Sequence, residues 1–209
     1  LDNVILREAE TLYNRVFVVS AYGGMTDLLL EHKKTGEPGI YARYAEGDPK
    51  WLDCLEETKA AMCRINAGFA DIGLDVAEAD DFIRERLDGI RDCLLDLQRL
   101  CSYGHFTIDE HLPAVREMLA AVGEAHSARN SVEILRTKGV NAVFVDLSGW
   151  RDTEHYPFDE VIARAFDGMD FSTCMPIVTG YTKCEEGIMS TFDRGYSEIT
   201  FSKIAVITK

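Results

Sequence analysis

No stretch of this 209-residue chain approaches the roughly 20 consecutive apolar residues of a membrane-spanning helix. Basic runs are missing too: the longest is His32-Lys33-Lys34, and the formal net charge is -14. So acidic a protein repels phosphate backbones, which argues against nucleic acid as a partner. Six cysteines stand at 54, 63, 93, 101, 174 and 184, with no C-x-x-C pair and no histidine at a zinc-ligand offset. Free thiols in a reduced cytoplasm are expected, with no disulfide framework and no metal site. The five histidines form no H-E-x-x-H pattern. The opening LDNVILREAE has neither a Met nor the layout of a signal peptide, so the chain reads as cut rather than started. Internal repeats and low-complexity tracts are absent as well.

What is present is an ordinary globular composition, 46% apolar and 28% charged, long enough for one substantial core. Residues 1–14 read as an amphipathic helix. In RVFVVSAYGG, the short apolar run 16–19 followed by two glycines has the form of a strand buried on both faces. MTDLLLEHKK resumes helix, and TGEPGIYARYAEGDPK reads as an irregular excursion punctuated by Gly36, Pro38, Gly39 and Pro49. Residues 51–101 are helical with a break near 71–75. Ile83, Leu87, Ile90, Leu94 and Leu97 make an apolar stripe suited to core or dimer packing. A further helix covers 109–137, interrupted by Pro113 and Gly123 and closed by Thr137-Lys138-Gly139.

Strand signals return at 142–147 and 177–179, each ending in a small-residue turn. Strands alternating with helices predict an α/β fold, a three-layer α/β/α sandwich with a mainly parallel central sheet. Ligands bind beyond the carboxyl ends of such strands. The turns SAYGG, LSGW and TGYTKCEEG should therefore share one edge.

Three stretches carry candidate chemistry. In VVSAYGGMTD, Gly23 and Gly24 let backbone approach a ligand, the following helix points its positive end there, and Ser20 and Thr26 supply hydroxyls. This is an anion cradle in outline, although by itself a Gly-Gly turn is more often just a turn. In GEAHSARN, Glu124 follows a helix-breaking glycine and precedes Ser127; taken alone it is a solvated face. In FDRGYSEIT, Ser197 suits the N-cap of a helix beginning at Glu198. Arg194 has the two-pronged geometry for a carboxylate, and Glu198 has the charge for an ammonium group. A zwitterion clamp and a capped helix with a surface ion pair explain that stretch about equally well. The segment 203–209 is compatible with helix or strand.

Together and in order, the three stretches resemble the aspartate kinase branch of the amino-acid kinase family. They correspond to V-S-A-x-x-G-x-T-[DN], here Ser20, Ala21, Gly24, Thr26 and Asp27, and to G-E-x-x-S, here Gly123, Glu124 and Ser127. The last is G-[FY] followed by G-x-x-x-T-x-x-R-G-x-S-[DE], here Gly180, Tyr181, Gly187, Thr191, Arg194, Gly195, Ser197 and Glu198. VVSAYGGMTDLLLEHKKTGEPG, DLQRLCSYGHF, GEAHSA and TFDRGYSEITFS look like the aspartate kinases associated with ectoine synthesis.

The resemblance implies phosphorylation of the side-chain carboxylate of L-aspartate by MgATP, giving 4-phospho-L-aspartate in a cytoplasmic homodimer. It implies that Arg194 pairs with the α-carboxylate and that Glu124, helped by Glu198, binds the α-ammonium. Ser20 and Thr26 would orient the β-carboxylate, Ser197 would complete the pocket, and Gly23 and Gly24 would lie near the transferring phosphoryl group. In place of the Gly-Gly-Ser-Asp of many members the chain has Gly195-Tyr196-Ser197-Glu198, with Tyr196 expected to add bulk at the pocket. The family's K-x-G-G-[ST] lysine segment is not found within residues 1–209, its nucleotide-contacting strands would be expected after Lys209, and no ACT-type domain is expected within these residues. Residues 1–209 are thus expected to be part of a catalytic domain, holding most of the aspartate pocket and little of the nucleotide site. A non-catalytic aspartate-binding or regulatory subunit of the same fold is the alternative.

Overall fold

The computed structural model describes residue 6 and residues 12–189 and 195–208. Its sheet has three strands, β1 (Phe17–Val19), β2 (Ala142–Val145) and β3 (Met175–Thr179), in the order β1-β3-β2 and all parallel. Every residue of β3 is buried, as expected for the middle strand of a parallel sheet. The register pairs Ile177 with both Phe17 and Phe144, and Val178 with both Val18 and Val145. Because successive side chains alternate faces, these two sets enter different parts of the core.

Seven α-helices are present among the described residues: α1 (Met25–Leu29), α2 (Ile40–Ala45), α3 (Trp51–Ala67), α4 (Val76–Cys101), α5 (Leu112–Thr137), α6 (Phe158–Phe166) and α7 (Tyr196–Ile207). The Ile177 face packs with Ala128, Val132 and Leu135 of α5. The Val178 face belongs to the larger cluster that includes Phe158 and Ile162 of α6 and Ile204 of α7. Helices therefore cover both faces of a parallel sheet, in agreement with the α/β expectation. Four helices, α1 to α4, stack outward from α5, and the stripe Ile83, Leu87, Ile90 and Leu94 is fully buried in that stack. The stripe is core within the chain.

Several local expectations need correction. Helix α1 stops at Leu29, and Glu31 instead bridges antiparallel to Pro38 around a turn closed by His32 N–H to Glu37 O at 2.8 Å. The supposedly irregular excursion contains α2, which buries Ile40 and Tyr44. The Tyr44 hydroxyl donates to Leu94 O at 2.9 Å, a tertiary contact that its local sequence does not announce. Helix α5 is not interrupted by Pro113, which sits in its first turn where a missing N–H costs nothing, nor by Gly123. A Cβ at Gly123 would come 2.9 Å from Ala21 Cβ and 3.2 Å from Leu29 Cδ1. That glycine lets the β1 exit and α1 lie against the helix. At the C-terminal end the ambiguous segment is helical to Ile207. The helix expected over 1–14 lies largely outside the described residues.

Candidate functional site

Parallel strands place their exits on one edge, and hydrogen bonds join those exits. Gly180 N–H donates to Val19 O at 3.1 Å, and Lys183 N–H donates to Leu147 O at 2.8 Å. Thr179 Oγ1 accepts from Leu147 N–H at 2.9 Å and donates to Tyr181 O at 3.0 Å. The three turns singled out in the sequence thus meet at the sheet's carboxyl edge.

Helix α5 crosses beneath that edge and delivers Glu124, which is 2% exposed. Its Oε1 accepts from the Ser197 hydroxyl at 2.7 Å, and its Oε2 accepts from the Tyr181 backbone N–H. Ser197 in turn accepts from the Ser20 hydroxyl at 2.9 Å. A chain of hydroxyls therefore runs from the exposed exit of β1 to a buried carboxylate. Ser127, one turn along α5, donates to Ser20 O at 2.7 Å and to Glu124 O at 3.0 Å, fixing the β1 exit to the helix.

Burial pushes the Glu124 carboxyl up to about 7; the Ser197 and Tyr181 donors pull the other way, and the nearby Glu198 charge adds a smaller upward push. A buried carboxyl whose ionisation is held back by burial is suited to receive a cation, whose arrival would favour its charged form. Glu198 lies in the first turn of α7 and is exposed.

Close packing makes this assembly specific. A Cβ on Gly180 would sit 2.4 Å from Ser197 Oγ and 2.8 Å from Glu124 Oε2, so α7 reaches the strand exit only over a glycine. The N-cap of α7 is Gly195, with φ of 100°, and not Ser197 as expected from the sequence. Ser197 lies inside the first turn, where its hydroxyl is committed to Glu124. Tyr196 is buried, and its ring meets that of Tyr181 edge-on at 5.9 Å.

The first cradle is more open. Gly23 and Gly24 are exposed, and a Cβ on either would meet nothing within 4 Å. Gly24 has φ of 81° and leads directly into α1. With five residues, α1 is too short to carry the dipole expected of it. Thr26 is half-buried, and the structure gives its side chain no hydrogen bond to Ser20 or Glu124. Arg194 and Thr191 lie outside the described residues.

Over its whole length, in an alignment of 212 residues, the chain is 52% identical to aspartate kinase Ask_Ect of Stutzerimonas stutzeri (strain A1501). The resemblance to aspartate kinases holds from end to end. The chain spans 44% of that protein's length. No family model and no solved structure matches it.

Of the residues proposed from the aspartate kinase resemblance, the structure brings Ser20, Glu124 and Ser197 into direct contact and sets Glu198 beside them. Two contributors were not singled out as site residues. One is Tyr181, whose N–H holds Glu124; its signal was the Gly180-Tyr181 pair already within the third motif. The other lies behind α5: Asn66 Oδ1 receives Asn130 Nδ2 at 2.8 Å and meets His126 Nε2 at 2.6 Å, while Asn66 Nδ2 donates to Asp80 Oδ1 at 2.8 Å. Burial holds His126 down to about 4, so this cluster is neutral at its centre near neutral pH. It ties the helix that carries Glu124 to α3 and α4. Polar residues scattered over 65 positions gave no sequence signal for it.

No helix among the described residues is long and apolar enough to cross a membrane. All six cysteines carry free thiols.

Proposed function

We propose that the protein is an aspartate kinase of the amino-acid kinase fold, transferring the γ-phosphoryl group of MgATP to the side-chain carboxylate of L-aspartate. The single observation that carries this reading is the buried Glu124, held by the Tyr181 N–H and by a Ser20–Ser197 hydroxyl chain at the strand exits. The end-to-end similarity to an aspartate kinase supports it independently. Ectoine-directed synthesis in the cytoplasm is the setting that this similarity favours.

In the proposed reaction a β-carboxylate oxygen of aspartate attacks the γ-phosphorus as the bond to ADP breaks. Such transfer depends on alignment and charge neutralisation more than on acid–base chemistry. Glu124, assisted by Glu198, takes the α-ammonium; Arg194 takes the α-carboxylate. Those two contacts fix the backbone of the amino acid and aim its side chain at Ser20 and Thr26. Ser197 bridges the two ends of the pocket, since it touches both Ser20 and Glu124. The open backbone at Gly23 and Gly24 leaves room for the phosphoryl group to approach. ATP supplies the phosphoryl group, and magnesium enters with it as the counter-ion of its phosphates.

The test is ATP-dependent acyl phosphate formation by the full-length protein, trapped with hydroxylamine, with L-aspartate, L-glutamate and N-acetylglutamate offered in turn. A signal with aspartate alone, lost in Glu124→Ala and Arg194→Ala, is expected. Aspartate binding without acyl phosphate would replace the kinase with a binding module. Equal use of N-acetylglutamate would remove the ammonium role of Glu124.

A further inference from the structure

Tyr181 is held at both ends by one helix. Its N–H donates to Glu124, and its hydroxyl donates to Glu117 Oε2 at 2.9 Å. Glu117 and Glu124 are seven residues apart on α5, two turns along the same face. The tyrosine is 2% exposed, and burial together with the Glu117 charge pushes its phenol far above the ordinary value. It therefore stays a donor, and the Glu117 carboxyl is its acceptor. The second oxygen of Glu117 accepts from Met189 N–H at 3.3 Å. One carboxylate thus secures the beginning and the end of the 181–189 loop, next in sequence to the segment bearing Thr191 and Arg194.

We infer that Glu117 is a positioning residue for the substrate's ammonium site, acting through Tyr181 to hold the backbone N–H that orients Glu124. The inference rests on the aspartate kinase reading for the identity of the substrate. Glu117 touches none of Ser20, Glu124 or Ser197 and faces a separate cleft of about 610 Å³, lined also by Met118, Val122, Trp150 and Tyr181. Its contribution therefore reaches the pocket by way of the tyrosine. Without Glu117 the buried hydroxyl loses its acceptor, the Tyr181 side chain loses its hydrogen-bonded anchor, and the N–H that meets Glu124 is held less firmly, by the Thr179 contact to the Tyr181 carbonyl and by Glu124 itself. The expected consequence is weaker aspartate binding, with the phosphoryl-transfer geometry on the Ser20 side little changed.

The experiment uses the full-length protein with Glu117→Ala, Glu117→Gln, Tyr181→Phe and the Glu117→Ala/Tyr181→Phe pair. It follows kcat, the KM values for L-aspartate and ATP, and calorimetric binding of L-aspartate. Glu117→Ala and Tyr181→Phe should each raise the aspartate KM about tenfold, with kcat and the ATP KM within about threefold of the parent. The pair should be no worse than either single change, because both break one linkage. Glu117→Gln keeps a carbonyl acceptor for the phenol and should restore most of the loss. An unchanged aspartate KM in Glu117→Ala or Tyr181→Phe, with only the melting temperature lowered, would overturn the inference and leave a purely structural tie. If Glu117→Ala does not fold, Tyr181→Phe decides alone, since it removes a single oxygen. Parent protein that binds aspartate but makes no acyl phosphate would sink the kinase reading, while the binding measurements still judge Glu117. Parent protein that does not bind aspartate would end both.

Discussion

Helices α4 and α5 are each 26 residues long and lie against each other, yet they are built on different plans. Helix α4 shows its core one stripe at a time: Ile83, Leu87, Ile90 and Leu94 are buried, and charged residues occupy the outer face. Its start is equally plain, with Asp75 accepting from Glu78 N–H at 3.1 Å as an N-cap. Helix α5 has no outer face between 119 and 128, where every residue is buried, Glu124, His126 and Ser127 among them. A helix enclosed on all sides has no 3.6-residue pattern to display. Burying polar groups is costly unless they are partnered. Glu124 and Ser127 are satisfied by distant elements, and in that way α5 became the carrier of the site.

The sharpest way to break this contrast is Ile90→Ala. The side chain is fully buried in α4, so its loss should cost about 2–5 kcal/mol, depending on how far the site collapses. Denaturant unfolding measures the cost, and the folded protein should keep its aspartate KM. A changed KM with unchanged stability would mean that α4 belongs to the site and not to the scaffold.

Glu124→Gln should act in the opposite direction. The carboxyl of Glu124 is raised to about 7 in the folded chain, above its ordinary value. Its favourable contribution is therefore fully present below the unfolded pKa and is lost as pH rises through about 7. Glutamine does not titrate. The variant should gain on the parent between about pH 5 and pH 8, by on the order of 2 kcal/mol, while losing aspartate binding. Melting curves at the two pH values read the gain. A variant less stable than the parent at the higher pH would show that the ionised Glu124 stabilises the fold.

The smallest effect sharpens the comparison from the outside. Arg84, half exposed on α4, pairs with Asp80 at 3.0 Å and Asp81 at 3.2 Å. Arg84→Ala should change stability by less than about 0.5 kcal/mol, since exposed ion pairs are screened and entropically costly. A larger loss in denaturant unfolding would reveal that the outer face of α4 is covered after all.

Much of the scaffold was legible because its signals are local. Short β-branched runs ending in small-residue turns marked all three strands, and the 71–75 break fell between α3 and α4 as expected. Gly123 was misread because glycine has two uses: it frees the backbone, and it removes bulk. Only the neighbours Ala21 and Leu29 show that the second applies here. Ser197 was misassigned for a similar reason. A serine near a helix start is a good cap, but here Gly195 takes that position and the hydroxyl goes to Glu124.

By itself the sequence determined an α/β chain with parallel strands, the stripe of α4, and three ordered motifs that resemble the aspartate kinases. Tertiary structure alone decided which of those residues work together. The bonds that make the site join residues 57, 73 and 177 positions apart, from Tyr181 to Glu124, Ser197 to Glu124 and Ser20 to Ser197. Periodicity and capping reach over a few residues, so they fix elements. Hydrogen bonds between the ends of different elements depend on packing, and packing exists only once the sheet edge, α5 and α7 have come together over Gly180.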